Sequence, residues 1–102
     1  MAIKELEEAA LFERIQSSCG KAGILFFTPL CGTCMVGERM LEIAEATGVS
    51  TPLYKININY APKLRDQWQI ASVPCLVVLD GGVPLRKEYA MQSAQHLYAL
   101  LR

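Results

Sequence analysis

A chain of 102 residues that is 52% hydrophobic has the size of one domain, residues 1–102, and enough apolar side chains for a core, which excludes a disordered chain. Ten Lys and Arg balance ten Asp and Glu, and the basic residues are scattered singly, so neither nucleic acid nor an anionic membrane is an expected partner. Glu5, Glu7, Glu8 and Glu13 leave no room for a secretory leader, and the apolar runs at 24–27 and 75–79 are too short to cross a bilayer.

Taken in chain order, residues 2–6 can form a short strand. From about Glu7 the spacing of Ala10, Leu11 and Ile15 predicts a helix, with Gly20 as its stop. "GILFF" at 23–27 is a continuous apolar run that fits a strand covered on both faces. A loop, "PLCGTC", leads into a second helix, in which Val36, Met40, Ile43, Ala44 and Thr47 recur at helical spacing and Gly48 is a natural C-cap. Residues 51–59 alternate as a strand, with Tyr54, Ile56 and Ile58 on one side and Leu53, Lys55 and Asn57 on the other. Pro62 opens a short third helix. "VPCLVVLD" and "VPLRKEY" then form a hairpin about Gly81–Gly82. Ser93 caps a last helix whose inner face carries Ala94, Leu97, Tyr98 and Leu101. Strand and helix alternate until the hairpin closes the sheet, so the class is α/β with a central mixed sheet flanked by helices.

The chemistry centres on Cys31 and Cys34. The chain reads as cytoplasmic, where thiols are mostly kept reduced, so its four cysteines point to transient or catalytic chemistry rather than two structural disulfides. A CxxC that ends a strand and opens a helix places its first cysteine at the positive end of the helix dipole, which favours the thiolate. The second lies inside the helix, near enough to displace a mixed disulfide, and Gly32 and Thr33 add no bulk between them. A structural zinc site wants four ligands, and only the isolated Cys19, Cys75 and His96 remain to complete one. In this context the motif reads as a redox pair.

Here the sequence resembles the thioredoxin family over nearly its whole length. "CGTC" stands at the family's active-site CxxC, "SVPC" at 72–75 stands at its Ile/Val-Pro-Thr, and the interval from Cys34 to Pro74 matches. The resemblance implies a thioredoxin-like fold and a cis bond between Val73 and Pro74. It also implies a substrate groove at Gly32, Thr33, Val73, Pro74 and Cys75, where the backbone at Val73 pairs with an incoming peptide as an added strand. It places Lys55 beneath the active site as a functional lysine. Departures accompany it. Leu30 and Thr33 stand where the family has tryptophan and proline, Cys75 replaces the threonine after the cis-proline, and Leu25 replaces a buried acid six residues before the first cysteine. The chain thus keeps the lysine and loses its acid, so Lys55 is expected to stand without a carboxylate partner and to substitute for the acid, either neutral as the base for the Cys34 proton or charged as an electrostatic aid to the Cys34 thiolate.

Simpler readings stand beside these. Cys75 suits plain core packing, Cys19 is read as structural, and Lys55 can be an ordinary strand lysine. Trp68 reads as a packing residue, and His96 needs no function. Asn59 and Tyr60 lie in a loop near the site without an assigned role. The expected function is a protein-disulfide oxidoreductase in which Cys31 attacks a substrate disulfide and Cys34 resolves the mixed disulfide. It is expected to be a monomer that needs no cofactor or metal and draws electrons from a thioredoxin-reductase-type donor. The alternative is a non-enzymatic module of the same fold, binding a protein partner or a metal or iron–sulfur centre through its thiols.

Overall fold

Two runs of apolar residues take the centre of a five-stranded sheet. The computed structural model of the chain describes residues 3–17 and 20–102. The elements are β1 (Lys4–Glu5), α1 (Glu8–Ser17), β2 (Lys21–Phe27), α2 (Gly32–Thr47), β3 (Leu53–Asn57), a 3-10 turn (Ile58–Tyr60), α3 (Pro62–Gln67), β4 (Cys75–Asp80), β5 (Val83–Glu88) and α4 (Ala94–Leu101). The sheet order is β1-β3-β2-β4-β5. Strand β3 runs parallel to both β1 and β2, while β4 is antiparallel to β2 and β5.

Residues of β2 and β4 alternate between two cores, as the two-residue period of a strand requires. Ile24, Phe26, Cys75, Val77 and Leu79 face α1 and α3, whose Leu11 and Leu64 complete that cluster. Leu25, Leu76 and Val78 face α2 and α4, packing with Leu41, Ala44, Leu97 and Leu101. Trp68 is 6% exposed and meets Phe26 edge-on with ring centroids 5.9 Å apart, the packing role expected of it. Strand β5 forms an exposed edge, where Pro84, Arg86 and Lys87 discourage further pairing. Gly81 and Gly82 turn the hairpin with φ of 60° and 80°, the left-handed pair that a tight two-residue turn requires.

Several boundaries differ from the sequence expectation. Helix α1 is described as far as Ser17, and β2 starts at Lys21 rather than Gly23. The expected start at Ala2 and the structural reading of Cys19 lie outside the described residues. Strand β3 stops at Asn57, short of 59, because the Asn57 side chain accepts the Asn59 N–H at 3.0 Å and turns the chain. The inner face of α2 is the expected one only in part: Ala44 is buried and Met40 packs on the core as expected, but Cys34, Gly37 and Leu41 complete the buried face, while Val36 and Ile43 are 55% and 52% exposed. Apolar residues on the solvent side of α2 had masked a core stripe made partly of small residues. The start of α3 is secured from a distance. Its N-cap Ala61 offers no side-chain bond, and Glu8 of α1 instead accepts the Leu64 N–H at 2.8 Å.

Candidate active site

The chain leaves β2 through Leu30, a fully exposed residue at φ 63°, and enters α2 at Cys31. Cys31 is the N-cap: its backbone is extended (φ −110°, ψ 106°), and its Sγ accepts the Cys34 N–H at 3.2 Å. One of the helix's otherwise unpaired amides therefore points at the sulfur, and the dipole adds to the same effect. The Thr33 hydroxyl lies 3.5 Å from that sulfur. Cys31 and Cys34 are joined as a disulfide, with Cα atoms 5.2 Å apart. Cys31 is half-exposed and Cys34 is 2% exposed. Only the first sulfur of the pair faces solvent.

The Val73–Pro74 bond is cis, as the resemblance implied. Pro74 lines a shallow groove of about 380 Å³ together with Thr33, Val36, Gly37, Tyr89 and Met91. Gly37 makes this approach close: a Cβ there would lie 3.0 Å from Met91 Cγ, tight unless that side chain shifts, and at ordinary contact, 3.8 Å, from Pro74 Cβ. The fold thus brings Cys31, Gly32, Thr33, Cys34 and Pro74 to one end of the molecule, with Val73 on the loop that precedes β4. Cys75 is fully buried, and its thiol is pushed up to about 11 by burial, against the smaller opposing effect of a hydrogen bond with Tyr89. That thiol packs in the core.

Lys55 corrects one expectation. It does not lack a carboxylate partner: its Nζ lies 2.8 Å from Glu38 Oε2, with the side chains 20% and 23% exposed. The ammonium also sits 5.4 Å from the centre of the Phe27 ring, within range of a cation–π contact. Leu25, opposite Lys55 in the parallel ladder, is fully buried, so the acid reaches the lysine from the helix rather than from the strand. Glu38 was missed in the sequence; its one local signal is that it lies one helical turn beyond Cys34. Tyr89 and Met91 of the groove gave no signal. Asn59 and Tyr60 are exposed, and His96 is half-buried, its Nε2 2.9 Å from Glu88. Among the described residues no group of three or more His, Cys, Asp or Glu side chains is placed to hold a metal ion.

A helix-capping CxxC with one accessible sulfur, set against a cis-proline on this sheet, defines a thiol–disulfide oxidoreductase. The comparisons agree. The family model Thioredoxin matches residues 2–102, and the chain belongs to the thioredoxin family. The Thioredoxin-like protein YusE of Bacillus subtilis is 34% identical over 79 residues, covering 78% of this chain and 74% of the relative. The Bifunctional thioredoxin reductase/thioredoxin of Mycobacterium leprae is 27% identical over 99 residues, covering 96% of this chain and 21% of that longer protein. A mutant thioredoxin from Halobacterium salinarum superposes with a TM-score of 0.85 at 19% identity, covering 98% of this chain and 88% of that one; this likeness speaks for the fold alone.

Proposed function

We propose that this thiol–disulfide oxidoreductase reduces protein disulfides, with Cys31 as the attacking thiolate and Cys34 as the resolving thiol. The observation that carries this division of labour is the contrast in access, a half-exposed Cys31 at the helix N-cap and a Cys34 that is 2% exposed. The Cys31 thiolate attacks one sulfur of the substrate disulfide and releases the other as a thiolate. Cys34, deprotonated, then attacks the Cys31 sulfur, the bond to substrate breaks, and the pair is left oxidised while the substrate leaves as a second thiolate. Gly32, Thr33 and Pro74 line the approach. The backbone at Val73 and Cys75 pairs with the incoming peptide as an added strand. Lys55 serves the Cys34 half of the cycle.

Electrons return to the pair from another dithiol, so no organic cofactor is required. A thioredoxin-reductase-type donor is supported by the Mycobacterium leprae relative, whose name joins a reductase and a thioredoxin in one chain. The same reading takes residues 1–102 as one monomeric unit working in the cytoplasm, where reduced thiols are maintained. Among the described residues no helix is long and apolar enough to cross a membrane.

Catalysed reduction of insulin, followed by turbidity, tests the reading. The chain should accelerate reduction by dithiothreitol or by a bacterial thioredoxin reductase with NADPH. Cys31→Ser should abolish the acceleration, and Cys34→Ser should accumulate mixed disulfides. A wild-type protein that leaves the uncatalysed rate unchanged refutes it.

A further inference from the structure

The resolving step poses a problem that the division of labour leaves open. Cys34 must lose a proton before it can attack, yet it is 2% exposed, and burial in apolar surroundings disfavours a thiolate. A proton acceptor close to that sulfur is needed, and bulk water reaches it poorly. Helix α2 carries one. Glu38 follows Cys34 by four residues, so the two side chains share a face one turn apart, with Cβ atoms about 5–6 Å from each other. Side chains in a helix lean toward its N-terminus and cover the preceding turn, which directs the Glu38 carboxylate back over the turn that holds Cys34. Unlike its neighbours Met35 and Val36, which are 65% and 55% exposed, Glu38 is turned toward the sheet. Its side chain is 23% exposed and tied to Lys55 at 2.8 Å.

We infer that Glu38 takes the proton of Cys34 in the resolving step, directly or through one water, and that Lys55 is a positioning residue that holds this carboxylate in place. The inference rests on the exchange reading above and adds the path of its proton. The Cys34 S–H proton passes to a Glu38 oxygen, and the sulfur's electron pair forms the bond to Cys31. The Cys31–substrate bond breaks, and its electron pair leaves with the substrate thiolate. Glu38 then gives the proton to solvent through its exposed edge. Lys55 holds the carboxylate in place through its ion pair at 2.8 Å, with the Phe27 ring 5.4 Å from the same nitrogen.

The two steps separate in a stopped-flow experiment with the reduced protein and dithiobis-nitrobenzoate, an aromatic disulfide that releases a coloured thiolate. Cys19→Ser is carried in every variant. The first release reports attack by Cys31, and the second reports resolution by Cys34. Glu38→Gln should leave the first release within about twofold and slow the second at least tenfold, since a positioned base is worth roughly 10²–10⁴-fold. Glu38→Asp should recover part of the loss, and Lys55→Met should slow the second release less than Glu38→Gln does. The charged groups about this carboxylate are Lys55 from β3, Glu5 of β1 in register with Lys55, and Glu42 one turn further along α2. Between pH 6 and 8 the wild-type second release should therefore vary little. In Glu38→Gln it should rise close to tenfold per pH unit, because the thiolate must then form without help. A second release in Glu38→Gln with wild-type rate and pH profile overturns the role of Glu38 while leaving the exchange reading intact. Absence of the first release in the wild type overturns both.

Discussion

Thr33 offers the sharpest test of how the loop sets the redox potential. Its hydroxyl lies 3.5 Å from Cys31 Sγ, and the Cys34 N–H reaches the same sulfur at 3.2 Å. In the reduced protein both groups donate toward a Cys31 thiolate. Thr33→Val keeps the shape of the side chain and removes one of the donors. A hydrogen bond to a charged group is worth about 1.5–3 kcal/mol, and this one is long and partly open to water, so about 1 kcal/mol is a fair value. Its loss should raise the Cys31 pKa. Stabilising the thiolate stabilises the reduced form and raises the potential, so its loss lowers the potential. With about 30 mV per 1.4 kcal/mol for this couple, the drop is at most about 20 mV, and nearer 10 mV if the thiolate is only half-formed at neutral pH. Glutathione titration gives the potential, and thiolate absorbance against pH gives the pKa. Wild type should lie above the roughly −270 mV of thioredoxin, and Thr33→Pro should fall as Thr33→Val does. A potential that stays the same or rises in Thr33→Val, with an unchanged pKa, would refute the reasoning.

Other expectations follow from the same geometry. Iodoacetamide near neutral pH should label Cys31 of the reduced protein first and Cys34 later, and it should leave Cys75, buried and with its thiol at about 11, until the chain unfolds. Equal labelling of Cys31 and Cys75 would contradict this. On β5, where Glu88 stands opposite Leu76, the Glu88 carboxyl is held below its ordinary range by hydrogen bonds from His96 and then Arg86. A depressed folded-state pKa gives stability that is present above the unfolded value of about 4.3 and is lost as pH falls through the lower folded value. In urea denaturation, wild type should therefore exceed Glu88→Gln by a constant margin near pH 6, and the margin should shrink below about pH 4. A margin independent of pH from 6 to 3 would mean that the pairing contributes nothing to stability.

What could be read in the sequence was what local patterns encode. The runs at 24–27 and 75–79 are apolar because both faces of β2 and β4 are covered, and two glycines at 81 and 82 have one natural use between strands. The CxxC was legible for the same reason, since its partners in the chemistry are its own neighbours in the chain. Legibility ended where a contact joins distant segments. The buried stripe of α2 includes Cys34 and Gly37, and Gly37 faces Met91 and Pro74 from distant parts of the chain, a contact with no local signature. The cap that Glu8 supplies to α3 spans 56 positions.

Lys55 is the clearest case. A search for its acid along β2 finds Leu25 and stops, because in a parallel ladder the residue opposite is the natural place to look. Yet the odd-numbered residues of β3 face α2, and a helix packed on that face can present a carboxylate to the same ammonium from above. Strand position 25 and helix position 38 are therefore two routes to one charge pair. The strand route needs a charge inside a fully buried ladder, whereas the helix route leaves it at the margin of the core, 23% exposed and able to exchange protons with water. Placing the acid on α2 thus lowers the desolvation cost of the pair and ties the lysine to the helix that carries both cysteines.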